Sequence, residues 1–485
     1  MEGNVVFGTN EPQIKPPLQG QPLPAAQAPP DPVIPPSSPP PPIPVHNGLF
    51  GGLLIKIVIV VIMLIGIGLA VFFFILPRFS GGLGGGGDVT LTYWGLWEPK
   101  SVMQPVIDSF QKDHPGIKVV YEQRDIKQYK ETLLTRMSSG DGPDVFRFHN
   151  SWTTSMKSAL SPLPSTVISP QDFKKYYFPV VQSDMTISGG IYGIPLQMDT
   201  LAMFVNDGIL EDYGIGTPRT WEEFVTVTNA LTVTNREGQT LTYGAAIGAY
   251  DNISRAPDLL SVLFAQSRVD LRKPGGASAQ SYADSLRFYT DFATGRDGIV
   301  RTWNPNAPQA ISVFAGEKAA IYFGYSWDIF AIKAQNPSLQ FSIHQVPYLT
   351  TPVTVASYWA EGVSSKSMHQ KEAMLFLRFL AKKETQQQLY SLESKIRLFG
   401  ELPARRDLAE NLRENQLVYP FLQGAETAVS SYFVSDTYDN SLNEQMNGYL
   451  GNAVRSVLGN VSPESASETL RKGISQVLVK YGIKE

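Results

Sequence analysis

The sequence contains no cysteine, and this absence removes several kinds of site at once. There can be no disulfide, no thiolate metal site, no cysteine nucleophile and no lipid-modified cysteine that anchors a secreted domain. The few histidines show no metal-ligand spacing, and neither a Gly-x-Ser-x-Gly elbow nor a phosphate-binding loop occurs. We therefore expect no metal, no cofactor and no enzyme activity. Paired carboxylates for glycoside hydrolysis can come from distant positions, so the sequence leaves that chemistry open. The histidines are His46, His114, His149, His344 and His369.

The chain also lacks an excess of basic charge. Its 485 residues carry 40 Lys and Arg against 44 Asp and Glu, which gives a net charge of -4. No block of like charge stands out. Nucleic-acid binding normally requires a basic face, so we expect no nucleic-acid partner.

Periodic hydrophobic positions are missing from residues 1–49, which hold several proline pairs and a run of four prolines at 39–42. Such a segment buries too little apolar surface to offset the entropy lost on ordering, so we expect a disordered tail. Residues 80–87 are rich in glycine and should form a short flexible linker.

Charge is absent from residues 57–76, within an apolar stretch that begins at Leu53. About twenty apolar residues, at about 1.5 Å of rise each, cross a hydrocarbon core of about 30 Å. We therefore predict one transmembrane anchor within residues 50–79. It should stay uncleaved because about fifty residues precede it, unlike a secretory signal. Lys56 and Arg78 flank the span one on each side, so charge alone does not give its orientation.

After the linker the pattern alternates between strands and amphipathic helices. Residues 89–94, 117–121 and 144–148 are predicted strands, with a helical pattern between each pair. This order predicts a parallel sheet with helices on both faces. Ligands bind such sheets beyond the carboxyl ends of the strands, here residues 94–98 and 149–152.

Later elements suggest a second half of the domain. Residues 199–205 predict a strand that leaves the first half, and residues 347–352 a second crossing between the halves. Thr220 and Glu223 have the spacing of a capping box, which predicts the start of a helix. Two further strands and a packed helix are predicted at 319–324, 341–346 and 372–381.

Seven short stretches form an ordered set along the chain. They are LTYWGLW from residue 91, HPGIKV from 114, GPDV from 142, YGIPLQMDT from 192, PRTWEEF from 218, FAGEKAA from 314 and LPARR from 402. The set resembles the family 1 extracellular solute-binding proteins, the maltose-binding-protein-like receptors of ABC importers. It covers about residues 88–406, and no motif that we can name covers 412–485.

This resemblance implies an α/β fold of the two-lobed periplasmic-binding-protein type in residues 88–485, with hinge strands between lobes that close on ligand. Lobe 1 would combine about 88–198 with 350–397, and lobe 2 about 199–349 with 398–485. Such receptors work outside the cytoplasm. The resemblance thus orients the predicted anchor, and the two together imply a single-pass protein of the cell membrane, with a cytoplasmic tail and an extracytoplasmic, monomeric receptor domain. Its implied partners are a small-molecule ligand and ABC permease subunits.

The family's ligands are mostly sugars, whose C–H faces suit aromatic platforms and whose hydroxyls suit fixed polar partners. Asp199 is the best polar candidate because it lies in the family's Pro-Leu-Gln-Met-Asp stretch. Each aromatic candidate can equally be core packing, and each charged candidate a structural pair. The aromatic candidates are Trp94, Trp97, Trp152, Tyr325, Trp327, Tyr358 and Trp359, and the polar ones are Glu98, Asn150, Asp199 and Arg405.

The chain departs from the family in two respects. Family members are usually secreted after cleavage or held by a lipidated cysteine, whereas this chain carries its own predicted helix and a proline-rich tail. It also has Ser357-Tyr358-Trp359 where several sugar binders have a Gly-Gly pair. A bulky pair there can serve as a platform or narrow the cleft. Two other functions stay open, namely a tethered sensor or adhesion receptor and an importer of a non-sugar solute. The ligand, its affinity, the permease and the role of the tail do not follow from the sequence.

Overall fold

The computed structural model describes residues 88–276 and 278–483. The predicted proline-rich tail (1–49), transmembrane anchor (50–79) and glycine-rich linker (80–87) lie outside the described residues. Within the described part, no helix combines the length and the apolar character needed to cross a membrane.

The described chain contains both strands and helices, and only helices follow the last strand. The strands are β1 (Val89–Gly95), β2 (Ile117–Gln123), β3 (Val145–His149), β4 (Thr186–Ile187), β5 (Gly190–Ile191), β6 (Ile194–Pro195), β7 (Asp199–Thr200), β8 (Ala202–Asn206), β9 (Val233–Thr234), β10 (Thr240–Thr242), β11 (Ile321–Gly324), β12 (Phe341–Gln345), β13 (Ala356–Ser357) and β14 (Trp359–Val363).

The helices cover both halves of the described chain. They are α1 (Lys100–Asp113), α2 (Tyr129–Ser139), α3 (Pro170–Tyr176), α4 (Pro179–Met185), α5 (Asp207–Tyr213), α6 (Trp221–Leu231), α7 (Ala256–Gln266), α8 (Ala279–Thr294), α9 (Ala310–Ala315), α10 (Asp328–Gln335), α11 (Gln370–Leu380), α12 (Lys383–Glu393), α13 (Arg406–Ala409), α14 (Tyr419–Gly424), α15 (Leu442–Leu458) and α16 (Pro463–Lys480). Short 3₁₀ turns occur at Asn150–Trp152, Lys157–Ala159, Pro274–Gly276 and Glu410–Leu412.

One half of the domain is built on a five-stranded sheet with the order β2-β1-β3-β14-β6. We call the part built on this sheet lobe 1. Strand β1 pairs in parallel with β2 and β3, as the alternating pattern predicts. The sheet as a whole is mixed, because β14, which the pattern did not predict, runs antiparallel to both β3 and β6. That strand arrives from the other half of the molecule and not through a helical crossover.

The second half is built on an antiparallel sheet with the order β11-β8-β12, and we call it lobe 2. Its core includes α8, against which the C-terminal helices α15 and α16 pack. These two helices belong to the region that no sequence motif covers. They therefore complete the packing of lobe 2.

Two short strands carry the chain between the lobes. Strand β7 follows β6 of lobe 1 and leads into β8 of lobe 2, while β13 follows β12 and leads back into β14. The two crossing strands pair antiparallel, Asp199 opposite Ser357 and Thr200 opposite Ala356. The second crossing thus lies at Ala356–Ser357 and not at the predicted 347–352. A third segment runs beside them, since the N–H of Met198 donates to the Leu402 carbonyl at 2.9 Å.

Local sequence signals explain where several elements begin and end. The Thr220 hydroxyl accepts from the backbone N–H of Glu223 at 3.2 Å, and the Glu223 carboxylate accepts from the backbone N–H of Thr220. The predicted capping box of α6 is therefore confirmed. Glycine at position 95 ends β1 next to the cleft, and a Cβ there would lie 2.5 Å from the Tyr121 ring. A larger residue at this position would therefore require the Tyr121 ring to shift.

Candidate functional site

A cleft of about 450 Å³ lies between the two lobes, at the carboxyl ends of β1 and β3 and along the crossing strands. Its volume falls within the range of small-molecule sites, about 300–1,000 Å³. Both lobes, the crossing segments and the C-terminal region contribute to its walls. The lining residues are Trp97, Ile126, Arg147, His149, Gln197, Met198, Asp199, Arg255, Trp327, Ser357, Tyr358, Trp359, Arg397, Glu401, Ser435, Asp436 and Tyr438.

The lobe 1 wall presents a ladder of aromatic rings. Trp97 follows β1 and is 43% exposed, and its ring meets that of Trp359 edge to face with centroids 5.9 Å apart. Trp359 in turn packs edge to face on Trp152, with centroids 5.0 Å apart. Trp152 is fully buried, and its indole N–H donates to Asn443 at 3.0 Å. The exposed platform therefore has a rigid base.

The lobe 2 wall presents a second platform. Trp327 precedes α10 and stacks on Tyr325, with centroids 4.4 Å apart and ring planes 17° from parallel. The Tyr325 hydroxyl is buried and donates to Asp258 at 2.8 Å. This bond fixes the lower ring, so Trp327 is held facing the cleft with little freedom to reorient.

Asp199 lies on the crossing strand β7 and lines the cleft between these platforms. One of its carboxylate oxygens accepts from the N–H of Thr200 at 2.8 Å and the other from the N–H of Ser326 at 2.7 Å. Burial raises the pKa of Asp199 well above its ordinary value. No ion pair to Asp199 occurs among the described residues. The two backbone N–H groups do not use all of the hydrogen-bonding capacity of this carboxyl group, so a ligand hydroxyl can also bind to it.

Behind the lobe 1 wall lies a buried ionic triad. The Arg147 guanidinium contacts Glu98 at 2.5 Å and Glu361 at 2.6 Å, and all three side chains are almost fully buried. Burial works to raise the pKa of Glu98, but the charge and hydrogen bond of Arg147 outweigh it and the net shift is downward. Burial raises the pKa of Glu361. The triad thus places one positive charge against two carboxyl groups directly under the cleft.

Hydrogen bonds at the base of the cleft connect the triad to the crossing segments. Gln197 donates to Glu98 at 2.9 Å and to Glu393 at 3.1 Å. Burial, together with nearby Glu98, raises the pKa of Glu393 to about 8. Arg397 lines the cleft and forms ion pairs with Glu393 at 3.1 Å and with Glu401 at 2.6 Å.

The loop of residues 435–440 forms the rim on the C-terminal side. Asp436, Tyr438 and Asn440 have φ values of +58°, +47° and +48°, which side chains other than glycine rarely adopt. Such backbone strain persists only where the surroundings hold it, and it clusters at binding sites. Here it directs Asp436 and Tyr438 into the cleft, where Asp436 pairs with Arg255.

Both ends of this loop are anchored in the protein. At its start, the N–H of Ser435 donates to Asp258 of lobe 2 at 3.3 Å. At its end, Asp439 accepts from Lys130 of lobe 1 at 3.2 Å and caps the first turn of α15. The loop therefore bridges the two lobes at the rim of the cleft.

Five of the sequence candidates line the cleft. Trp97, Asp199, Trp327, Tyr358 and Trp359 all do so, and four of them are aromatic. Tyr358 is almost fully buried, and its hydroxyl donates to Asp184 at 2.6 Å, so it presents only part of its ring.

Four aromatic or polar candidates lie behind the cleft wall and do not line it. Trp94 is buried and packs on Tyr129 under the Arg124 guanidinium. Trp152 and Tyr325 are the bases of the two platforms. Glu98, expected as a hydroxyl partner, is instead held by Arg147.

Two more polar candidates are engaged elsewhere. Asn150 is buried at a second interlobe contact, where its side-chain amide donates to Ser430 at 2.8 Å. Arg405 forms a pair with Asp407 at 2.9 Å and lies over the Tyr176 ring. Both therefore serve the contacts that hold the protein together and not the cleft.

Sequence reasoning missed most of the polar lining. Arg255, Arg397 and Glu401 sit in stretches without a strand-end signal, and Asp436 and Tyr438 sit in the region that no motif covers. The only signal for the last two is the polar, turn-rich sequence SDTYDNS at 435–441. Within the described residues, no group of three or more His, Cys, Asp or Glu is placed to hold a metal ion.

Comparison with protein families matches residues 95–387 to the bacterial extracellular solute-binding proteins. Among curated proteins, the multiple sugar-binding protein of Streptococcus mutans is 23% identical over 321 residues, 63% of this chain and 74% of that protein. The maltotriose-binding protein of Pyrococcus abyssi is 22% identical over 274 residues, 54% of each chain.

Solved structures share the two-lobed fold. The sugar-binding protein MalE of Xanthomonas citri has a TM-score of 0.65 at 19% identity, covering 81% of this chain and 98% of that chain. A cyclo/maltodextrin-binding protein complexed with maltotetraose has a TM-score of 0.64 at 17% identity, covering 82% and 98%. A solute-binding protein of Thermotoga lettingae bound with α-D-tagatose has a TM-score of 0.61 at 20% identity, covering 80% and 100%.

Proposed function

The chain belongs to the bacterial extracellular solute-binding proteins, and we propose that it captures a carbohydrate in the interlobe cleft. Closure of the lobes around the crossing strands would enclose the sugar, which is then delivered to the permease of an ABC importer. The protein acts in this proposal as a monomeric receptor without catalytic activity.

The observation that carries this proposal is the pair of aromatic platforms on opposite walls of one cleft. Trp97 and Trp359 belong to lobe 1 and Trp327 to lobe 2, and Asp199 lies on the crossing strand between them. Aromatic faces bind the C–H patches of a sugar ring, while a carboxylate accepts from its hydroxyls. Because the platforms sit on different lobes, a ring held between them would favour the closed form.

The relatives support a carbohydrate as the ligand class. The names of two of them specify multiple sugars and maltotriose, and three similar structures are of sugar-binding proteins or hold a sugar. The same family supports an extracytoplasmic location. We further propose that residues 53–76 tether the domain to the cell membrane, with the proline-rich tail in the cytoplasm.

A thermal-shift screen of the full-length chain tests the proposal. The panel contains mono- and oligosaccharides, with polyols, phosphodiesters and short peptides as alternatives. A ligand that binds only the folded state raises the melting temperature, by a free energy of about 2.7 kcal/mol at one hundred times its Kd. We expect saturable shifts from one or more sugars. A cooperative melt that only a non-sugar shifts would contradict the carbohydrate assignment.

Matched variants then locate the site. Trp327→Ala and Trp359→Ala should each weaken sugar affinity by at least tenfold, because each removes one platform. Tyr213→Ala is the control, since Tyr213 is 49% exposed on α5 and does not line the cleft. Isothermal titration of the three variants gives the affinities directly. Wild-type affinity in both tryptophan variants would place the sugar outside this cleft.

A further inference from the structure

Two aromatic rings on the cleft wall come from distant stretches of the chain. Trp327 follows β11 and stacks on Tyr325. Tyr438 belongs to the loop of residues 435–440, which we call the rim loop, and it is 47% exposed and lines the cleft. The position of one ring relative to the other therefore depends on the contacts that join the Trp327 platform to the rim loop.

Helix α7 supplies these contacts. Three of its polar side chains, spaced three residues apart and so on one face of the helix, bind the chain that leads into the rim loop. Ser261 donates to the Phe433 carbonyl at 2.8 Å. The N–H of Ser435 donates to Asp258 at 3.3 Å, and Arg255 donates to the Ser435 hydroxyl at 3.0 Å. One face of α7 thus fixes the start of the rim loop.

Asp258 also binds the platform. The Tyr325 hydroxyl donates to its Oδ1 atom at 2.8 Å, and the same oxygen accepts from the N–H of Ser435. Asp258 is fully buried and does not line the cleft, so it cannot contact a sugar itself. Burial raises the pKa of Asp258 to about 6, against the opposing effects of Arg255 and the two donors. The carboxyl group is therefore mostly ionised at neutral pH and depends on both donors.

The rim loop presents Tyr438 from a fixed backbone. Tyr438 has a φ of +47°, a conformation that a bulky side chain keeps only when its surroundings hold it. Its neighbours Thr437 and Asp439 are both buried, at 4% exposure each. Ser435 is held by α7 at one end of the loop, and Asp439 accepts from the N–H groups at the start of α15 at the other. The Tyr438 ring consequently has a defined position over the cleft.

We propose that Asp258 is a positioning residue that couples the Trp327 platform to the rim loop, so that Trp327 and Tyr438 contact one sugar as a preset pair. This inference rests on the proposed function and deepens it. Because one carboxylate oxygen holds both parts, disturbing either part weakens the hold on the other. Arg255 forms a parallel connection between them, but it lines the cleft and can contact a sugar directly. Asp258 acts only through its partners.

The first test needs no sugar. Hydrogen-exchange mass spectrometry of the full-length chain follows the peptide that covers residues 433–437. Tyr325→Phe removes the hydroxyl that donates to Asp258, so the pKa of Asp258 rises further and its protonated form accepts more weakly from Ser435. We expect the Ser435 amide to exchange at least fivefold faster.

Tyr289→Phe is the matched control. The Tyr289 hydroxyl is also buried in lobe 2, but it donates to the Ala249 carbonyl at 2.6 Å and has no contact with Asp258. It should leave the exchange of this peptide unchanged. Equal exchange in wild type and Tyr325→Phe would overturn the coupling.

Variants of Asp258 itself test the shared oxygen. Asp258→Ala removes the acceptor and should speed exchange at Ser435 at least as much as Tyr325→Phe. Asp258→Asn keeps an oxygen at the Oδ1 position, where both donors bind, so it should restore most of the protection. Exchange as fast in Asp258→Asn as in Asp258→Ala would contradict the role given to this oxygen. If Asp258→Ala does not fold, Tyr325→Phe decides the question.

The second test measures the coupling on a bound sugar. Trp327→Ala and Tyr438→Ala are made singly and together, and the set is repeated with Tyr325→Phe. The probes are maltotriose and the sugar with the largest saturable shift in the thermal screen. We expect the two losses of affinity to depart from additivity by at least fivefold in the first set and by less than twofold in the second. Equal coupling in both sets would refute the proposal.

The outcomes separate this inference from the proposed function. Sugar binding with no coupling between Trp327 and Tyr438 overturns the inference and leaves the carbohydrate receptor intact. A wild-type chain that binds no sugar overturns the proposed function, and with it the preset pair, whatever the exchange of Ser435 shows.

Discussion

Replacing Arg147 by methionine is the sharpest test of the ionic triad under the cleft. Methionine keeps much of the volume and removes the charge, so Glu98 and Glu361 lose the guanidinium that contacts them at 2.5 and 2.6 Å. Both carboxyl groups are at most 3% exposed and cannot turn to water. Removing one partner of a buried ion pair costs about 3–5 kcal/mol, a large part of the roughly 5–15 kcal/mol that stabilises a typical domain.

The loss should depend on pH in a defined direction. Without Arg147 the buried carboxyl groups bind protons more tightly in the folded state than in the unfolded state. Stability of the variant therefore rises as pH falls, by about 1.4 kcal/mol per pH unit for each extra proton bound. The penalty relative to wild type should be smaller at pH 5.5 than at pH 7.5. Adding Glu361→Gln should recover part of it at the higher pH.

Urea unfolding at these two pH values measures the free energies. Arg136→Met is the control, because Arg136 is exposed on α2, and it should change stability by less than about 0.5 kcal/mol. A loss below about 1 kcal/mol for Arg147→Met, or a loss of equal size at both pH values, would refute the electrostatic account of the triad.

Three further predictions follow from single contacts. The pKa of His149 is about 3 in the folded state against an ordinary 6.5, so the free energy of unfolding of wild type should fall by about 2 kcal/mol between pH 7 and pH 5. His149→Gln should not show this loss in urea unfolding. An equal pH dependence of the two proteins would contradict a buried neutral ring. Thr220→Ala removes the N-cap of α6 and should cost about 1 kcal/mol in the same assay, whereas Thr220→Ser should cost little. Gly95→Ala places a Cβ against Tyr121 and should cost about 1–3 kcal/mol; wild-type stability would show that the ring can move aside.

Several elements of both lobes could be predicted because their signals are local. The alternating strand pattern and the capping box of Thr220 depend on neighbours within a few residues, and both are present in the structure. The antiparallel strand β14 could not be predicted from such patterns. Its position between β3 and β6 depends on pairing across more than two hundred residues.

The same distinction separates the site candidates. The aromatic residues Trp97 and Trp327 follow strand ends, which the sheet architecture places at a cleft. The fate of Glu98 depends on Arg147, which lies 49 residues away and reaches it only through the fold. Tyr438 reaches the cleft through a strained loop with no hydrophobic period to mark it. Which polar residues line the cleft therefore depends on charge pairing and loop geometry, and local sequence patterns do not predict either.

The place of β14 in the lobe 1 sheet also orders events during biosynthesis. This strand sits inside the sheet, between β3 and β6, yet it is made after the whole lobe 2 sheet. Lobe 1 cannot close until residues 359–363 have left the ribosome, and pairing over such a long separation is slow. The nascent chain thus stays incompletely folded through most of its synthesis. Because the family is extracellular, we expect this delay to leave the chain unfolded while it crosses the membrane.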